Sequence, residues 1–329
     1  MLVADRGNAR VRLVDQLSGI IDTIAGNGIP GFSGDGGLAF DASLRSPRGV
    51  GVDSLGQVLI ADARNNRIRQ VDGAGVITTV AGTDRPEPPE PPVTSCPPSI
   101  PIGPLGDGGP AVDALLCTPF AVVADNQGAI YFSDTANHRI RWIDPETGLI
   151  DTIAGGNVPG FSGDGGLANE ALLNSPRDLA LGPSLGILAG GLYVADARNH
   201  HVRRIDLIAG TIDSVIGTAE DGVPVPGFGG DGDLPPTQTF LNFPRRIAFD
   251  SSGSLYIADV HNARIRRVDA ETGVLSTVAG VGHVGFSGDG GAALDASISF
   301  PSGLAIDSLG NLYFSELLNG RVRMVRAPF

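Results

Sequence analysis

The sequence predicts an all-β fold, a six-bladed β-propeller of four-stranded antiparallel blades whose terminal blades are incomplete. Three observations predict it. A proline-anchored unit recurs at Pro47, Pro119, Pro176, Pro244 and Pro301, with 57 residues from Pro119 to Pro176 and again from Pro244 to Pro301. Each unit divides into short Val- and Ile-rich runs bounded by Gly, Asp or Asn, too short for typical helices. The phrase GFSGDGG stands at 31–37, 160–166 and 285–291, once per unit where it occurs. Repeated four-stranded units of this size suit radial stacking.

The N-terminal stretch 2–25 supplies three runs, LVAD, ARVRLV and IDTIA. In the second unit the runs are GVGVD (49–53), VLIAD (58–62), RIRQV (67–71) and VITTV (76–80). The links SLGQ, ARNN and DGAG are hairpin-sized, which makes the unit an antiparallel meander. The glycine-rich loop follows, then LAFDASLRSP, where a short helical turn fits before the proline stops it. The same order sets blade boundaries at about 2–46, 47–118, 119–175, 176–243, 244–300 and 301–329 in one propeller domain over 1–329. A Pro-rich insertion occupies 83–117. An inner strand before Met1 and an outer strand after Phe329 are wanting, so the sequence reads as a piece of a longer chain.

Composition bounds the chemistry. All 23 basic residues are arginine, which removes Schiff-base and Walker lysines, and the net charge is −13. Nucleic acid is therefore not expected as a partner, because phosphate binding needs a basic surface. No apolar run approaches the ~18 residues that span a bilayer, so no membrane insertion is expected. The chain opens MLVADRGN, in strand pattern and without a signal-peptide pattern.

The segment NHRI (137–140), preceded by Asp134 and followed by Arg141, resembles the NHL repeat. Its variants are NARV (8–11), NNRI (65–68), NHHV (199–202), NARI (262–265) and NGRV (319–322). The GFSGDGG extension resembles the long-loop NHL units of bacterial extracytoplasmic proteins and teneurin-like ectodomains. The resemblance implies a six-bladed propeller and leaves activity open, since such propellers serve as protein-binding platforms, sensors, RNA readers and, in one lyase lineage, metalloenzymes.

Strand alternation puts the D-x-x-N turns and the glycine-rich loops on one face, where a protein or other ligand is expected. The loops align on Asp35, Asp107, Asp164, Asp231 and Asp289, with Asp233 a second carboxylate in the fourth copy. A calcium site is one reading, yet each loop offers a single carboxylate. The favoured reading is a blade joint, an Asx-type turn with glycines at positive φ. The five histidines are the candidate zinc set, His138, His200, His201 and His261 in or beside the turns and His283 in the fifth glycine loop, with His138, His200 and His261 the named candidates, but their spacing has no ligand pattern. No cofactor is therefore expected; calcium or zinc at these positions is the alternative. Asp62, Asp134, Asp196 and Asp259 end second strands, and Arg67, Arg139 and Arg264 begin third strands, so charge-assisted bonds across the hairpin are expected to set register.

Cys96 and Cys117 both lie in the Pro-rich insertion, and a disulfide closing that loop is expected, which suits an oxidising, extracytoplasmic compartment. The function expected is a non-catalytic, monomeric binding or scaffold propeller working through its loops. The alternative is a metal-dependent lyase or lactone hydrolase with a site at the channel mouth.

Overall fold

The computed structural model describes residues 1–15, 17–83, 105–156, 158–232 and 234–327. The fold is an all-β, six-bladed β-propeller of small antiparallel sheets, most of them four-stranded. The chain divides into two compact units, Met1–Asn157 and Val158–Phe329.

The first unit holds three blades. Blade 1 has three strands, Leu2–Asp5, Arg10–Val14 and Ile21–Ala25. Blade 2 runs Pro47–Val52, Val58–Asp62, Arg67–Val71 and Ile77–Ala81. Blade 3 runs Pro119–Ala124, Ile130–Asp134, Arg139–Ile143 and Leu149–Gly155, with the short strand Gly109–Pro110 added outside the fourth. The second unit holds blade 4 (Pro176–Leu181, Leu192–Asp196, His201–Ile205, Ile212–Ile216) and blade 5 (Pro244–Phe249, Leu255–Asp259, Arg264–Val268, Leu275–Ala279). Blade 6 has three strands, Pro301–Ile306, Leu312–Glu316 and Arg321–Val325. A two-stranded hairpin, Ala219–Glu220 with Val223–Pro224, decorates the long loop before blade 5.

Proline opens each first strand because that position lies at the sheet margin, where a missing N–H costs little. A register shift follows each of these prolines, and a second separates third from fourth strands, as between Ile68 and Arg69. Such bulges bend and twist a strand. The core lies between neighbouring blades. Leu59 and Ile68 of blade 2 pack with Val122 and Phe132 of blade 3, and Ala195 and Val202 of blade 4 with Ile247 and Ile257 of blade 5. The helical turn expected in each long loop is a single 3₁₀ turn, such as Ala39–Asp41 or Ala293–Asp295.

Candidate functional site

The D-x-x-N turn is built from a 3₁₀ turn closed by a left-handed residue. In blade 2 it spans Ala63–Asn65 and closes at Asn66 (φ 52°); in blades 3 and 4 the closing residues are His138 (φ 57°) and His200 (φ 58°). Asp62 Oδ1 accepts the Arg45 amide at 2.7 Å, and Oδ2 accepts Asn65 Nδ2 at 2.7 Å. Asn65 Nδ2 also donates to the Gly31 carbonyl at 2.7 Å, which ties the turn to the glycine-rich loop. Asp134 with Asn137, Asp196 with Asn199, Asp259 with Asn262 and Glu316 with Asn319 repeat the arrangement.

The register sets Asp62 opposite Arg67, but its ion pair is with Arg69, two residues further, at 3.6 Å. The same displacement pairs Asp134 with Arg141, Asp196 with Arg203 and Asp259 with Arg266. Arg67 and Arg264 instead lay their guanidinium groups over Phe32 and Phe228, each 3.7 Å from the ring centre. Arg139 donates to Thr152 Oγ1 at 3.1 Å and to Asp107 at 3.3 Å. Side chains leave a strand alternately, so residues two apart share a face and both arginines lie on the side of the carboxylate.

The loop aspartates turn inward to those same arginines. Arg69 Nη2 donates to Asp35 Oδ1 at 2.6 Å, and Thr79 Oγ1 donates to Oδ2 at 2.7 Å. Arg203 reaches Asp164 at 2.6 Å, Arg266 reaches Asp231 at 2.5 Å, and Arg323 reaches Asp289 at 2.7 Å. Arg69, Arg141, Arg203, Arg266 and Arg323 each lie between a buried second-strand carboxylate and a loop carboxylate. The guanidinium fork suits two-sided recognition, and Arg69, Arg141, Arg203 and Arg266 are fully buried.

The glycines have a steric cause. Gly34 has φ +91°, and a Cβ there would stand 2.6 Å from Ala42 Cβ; Gly163 repeats this against Ala171 at 2.6 Å. The Gly36 amide donates to the Ile77 carbonyl at 2.8 Å, and the Ile77 amide to Gly37 at 3.0 Å, so the loop lies along the outer edge of blade 2. At its other end the 3₁₀ turn accepts the Gly26 amide through Ala39 at 2.8 Å, at the end of the blade 1 sheet. The loop is a joint between successive blades.

Burial raises the carboxyls of Asp62 and Asp259 to about 6 and that of Asp196 to about 7, against the lowering pull of their amide, asparagine and arginine partners. Burial also lowers the pKa of His200 and His261. His200 Nδ1 accepts the Phe243 amide at 3.1 Å, just as Asn66 Oδ1 accepts the Thr118 amide at 2.9 Å. These side chains latch one blade to the residue before the next blade's anchoring proline. His261 stacks on Phe243 with ring centres 4.7 Å apart.

Among the described residues, no three His, Cys, Asp or Glu side chains gather closely enough to hold a metal ion. Asp35, Asp164, Asp231 and Asp289 each serve a different arginine. Asp233 and Cys96 lie outside the described residues. Cys117 is buried, and its amide donates to Asp134 Oδ1 at 2.6 Å. Two sets of participants escape a charge-led reading of the sequence: the fourth-strand threonines, and the loop phenylalanines Phe32, Phe228 and Phe286. Their signal was present in the recurrence of T-[IV]-A-G and G-F.

A model of the teneurin NHL domain matches residues 28–104, and one of the NHL repeat matches residues 241–268. Teneurin-1 of Mus musculus is 33% identical over 243 residues, which is 67% of this chain and 8% of the teneurin. Among solved structures, the nidogen/laminin complex gives a TM-score of 0.59 at 14% identity, covering 99% of this chain and 88% of that one. A gluconolactonase of Xanthomonas campestris gives 0.59 at 14% identity, covering 99% and 82%. At such identity both show the fold alone. Repeat signature, sheet architecture and sequence likeness together make the chain an NHL-repeat β-propeller, homologous to the NHL region of the teneurins.

Proposed function

We propose that the chain is a non-catalytic binding or scaffold propeller that engages a protein or other ligand through its inter-blade loops. One observation carries the reading. The loop aspartates are engaged by third-strand arginines, while aliphatic side chains of the same loops stand free to solvent: Ile29, Val158 and Val284, each ahead of a G-F pair, are 67%, 52% and 56% exposed. Apolar groups presented repeatedly on loops held by a rigid scaffold suit association rather than acid–base chemistry. The hairpin loop before blade 5 adds exposed Val223 and Phe228. In the same reading the propeller is extracytoplasmic and monomeric, and a Cys96–Cys117 disulfide closes the Pro-rich insertion.

The test is a screen of the labelled chain against an array of extracellular proteins. Hits should be lost in Ile29→Ser, Val158→Ser and Val223→Ser variants that melt like wild type. Turnover of aldonolactones or cyclic depsipeptides, with zinc, calcium or manganese supplied, would overturn the reading in favour of the lyase or hydrolase class.

A further inference from the structure

The joints between blades differ in one side chain. In blade 2 the left-handed residue that closes the D-x-x-N turn is Asn66, whose Oδ1 accepts the Thr118 amide at 2.9 Å. Thr118 stands directly before Pro119, which opens blade 3. In blade 4 the turn closes at His200, whose Nδ1 accepts the Phe243 amide at 3.1 Å, ahead of Pro244 of blade 5. Blade 5 closes its turn at Ala263, which has no side-chain acceptor. A carboxamide oxygen accepts at any ordinary pH, whereas an imidazole nitrogen accepts only while it carries no proton.

Phe243 is a residue that needs holding. Its φ is +62°, left-handed backbone for a bulky side chain, at a position before proline where extended backbone is favoured. Its ring meets two cation-forming side chains: His261 stacks on it with ring centres 4.7 Å apart, and the Arg177 guanidinium lies 4.8 Å from its centre. The bond to His200 adds a main-chain tether to these ring contacts. Phe243 also ends the long loop that leaves blade 4 at Ile216 and carries the Ala219–Glu220 and Val223–Pro224 hairpin.

The groups around the imidazole set the direction of its titration. His201 stands beside it on the third strand of blade 4, and His261 faces it from blade 5. Arg177 of the first strand of blade 4 acts in turn on His261, and Arg245 lies two residues beyond Phe243. The Asp196 carboxyl of the same turn is occupied with the Asn174 amide and Asn199 Nδ2. Burial first, and the two histidines after it, hold His200 below the ordinary imidazole value of ~6.5. The neutral ring and its bond are therefore complete above that value and are lost as pH falls below it.

We propose that His200 is a pH-sensitive catch that holds the joint between blades 4 and 5 at neutral pH and releases Phe243, with the end of the long loop, in acid. A proton on Nδ1 turns the acceptor into a donor, which faces the Phe243 N–H and cannot bond it. The new imidazolium also stands close to His261 and Arg177, so like charge gathers as the joint opens. His201 is no substitute, because its Nδ1 donates to the Asn199 carbonyl at 2.6 Å. The joint between blades 2 and 3, latched by an asparagine, is the internal control. The proposal stands on the joint alone, whatever the loop binds.

The experiment is amide hydrogen exchange of the full ¹⁵N-labelled chain, read by NMR and corrected for the intrinsic exchange rate. It is run at about pH 7 and about pH 5, on either side of an ordinary histidine pKa. Protection of the Phe243 amide should fall about tenfold in acid, as for the loss of one hydrogen bond, while that of Thr118 is unchanged. His200→Asn gives this joint the acceptor found in blade 2 and should flatten the Phe243 profile with His261 still in place. If that variant does not fold, Asn66→His carries the test in the other direction, by bringing the fall to Thr118. Equal protection of Phe243 at both pH values, an equal fall at Thr118 in the wild type, or a fall at Phe243 that survives His200→Asn would overturn the proposal.

Discussion

Asp134 shows how much one side chain carries. It is fully buried, accepts the Cys117 amide at 2.6 Å and Asn137 at 2.7 Å, and lies 3.5 Å from Arg141. Asp134→Ala leaves a buried guanidinium and a buried amide without that partner, and should cost about 3–5 kcal/mol. An unchanged melting curve would sink this account. Asp196 gives a pH test. Burial raises its carboxyl to about 7, while an unfolded aspartate titrates near ~3.9. The folded chain therefore holds that proton more tightly, so the group's contribution is complete below about pH 4 and is lost as pH rises through about 7. Asparagine does not titrate. The stability of wild type relative to Asp196→Asn, measured by urea unfolding from pH 4 to 8, should fall with rising pH and flatten above 7. A rising difference would place the carboxyl pKa below the unfolded value.

At the scale of the element, the glycine-rich loop separates backbone strain from steric contact. Gly36 has φ +79° with nothing near its missing Cβ, so Gly36→Ala should cost about 1 kcal/mol, as left-handed backbone does. Gly34 adds a collision with Ala42 at 2.6 Å, so Gly34→Ala should cost distinctly more in the same unfolding assay. Equal losses would refute the joint geometry. The Pro-rich insertion is tested through Cys96→Ser, which should speed proteolysis within 83–117 and leave the thermal transition of the sheets in place. Loss of cooperative unfolding would mean the loop is part of the fold's core.

For the whole molecule, the absence of lysine and the net charge of −13 direct its arginines to carboxylates. The buried Arg69, Arg141, Arg203 and Arg266 each meet two carboxylates, which is how an acidic chain keeps these cations inside. Dialysis against a chelator is accordingly expected to leave the melting curve unchanged, with no stoichiometric metal found by elemental analysis. Retained zinc or calcium that raises the melting temperature would reopen the metal readings of the loop aspartates and turn histidines.

Strand number, blade order and the repeated turns were legible in the sequence, because the anchoring prolines, the period-2 Val/Ile runs and the glycine phrases recur at regular spacing. So was the pairing of a second-strand carboxylate with a third-strand arginine, since both lie on one hairpin. Which arginine takes the carboxylate was not legible: Arg67 faces Asp62 in register, yet the ion pair is with Arg69, while Arg67 lies over the Phe32 ring. Nor could spacing show that Asp35 meets Arg69 across 34 residues, or that His200 serves as an acceptor for Phe243. Local chemistry is written along the chain, whereas a partner for a buried charge is chosen by what the folded sheets bring within hydrogen-bond distance.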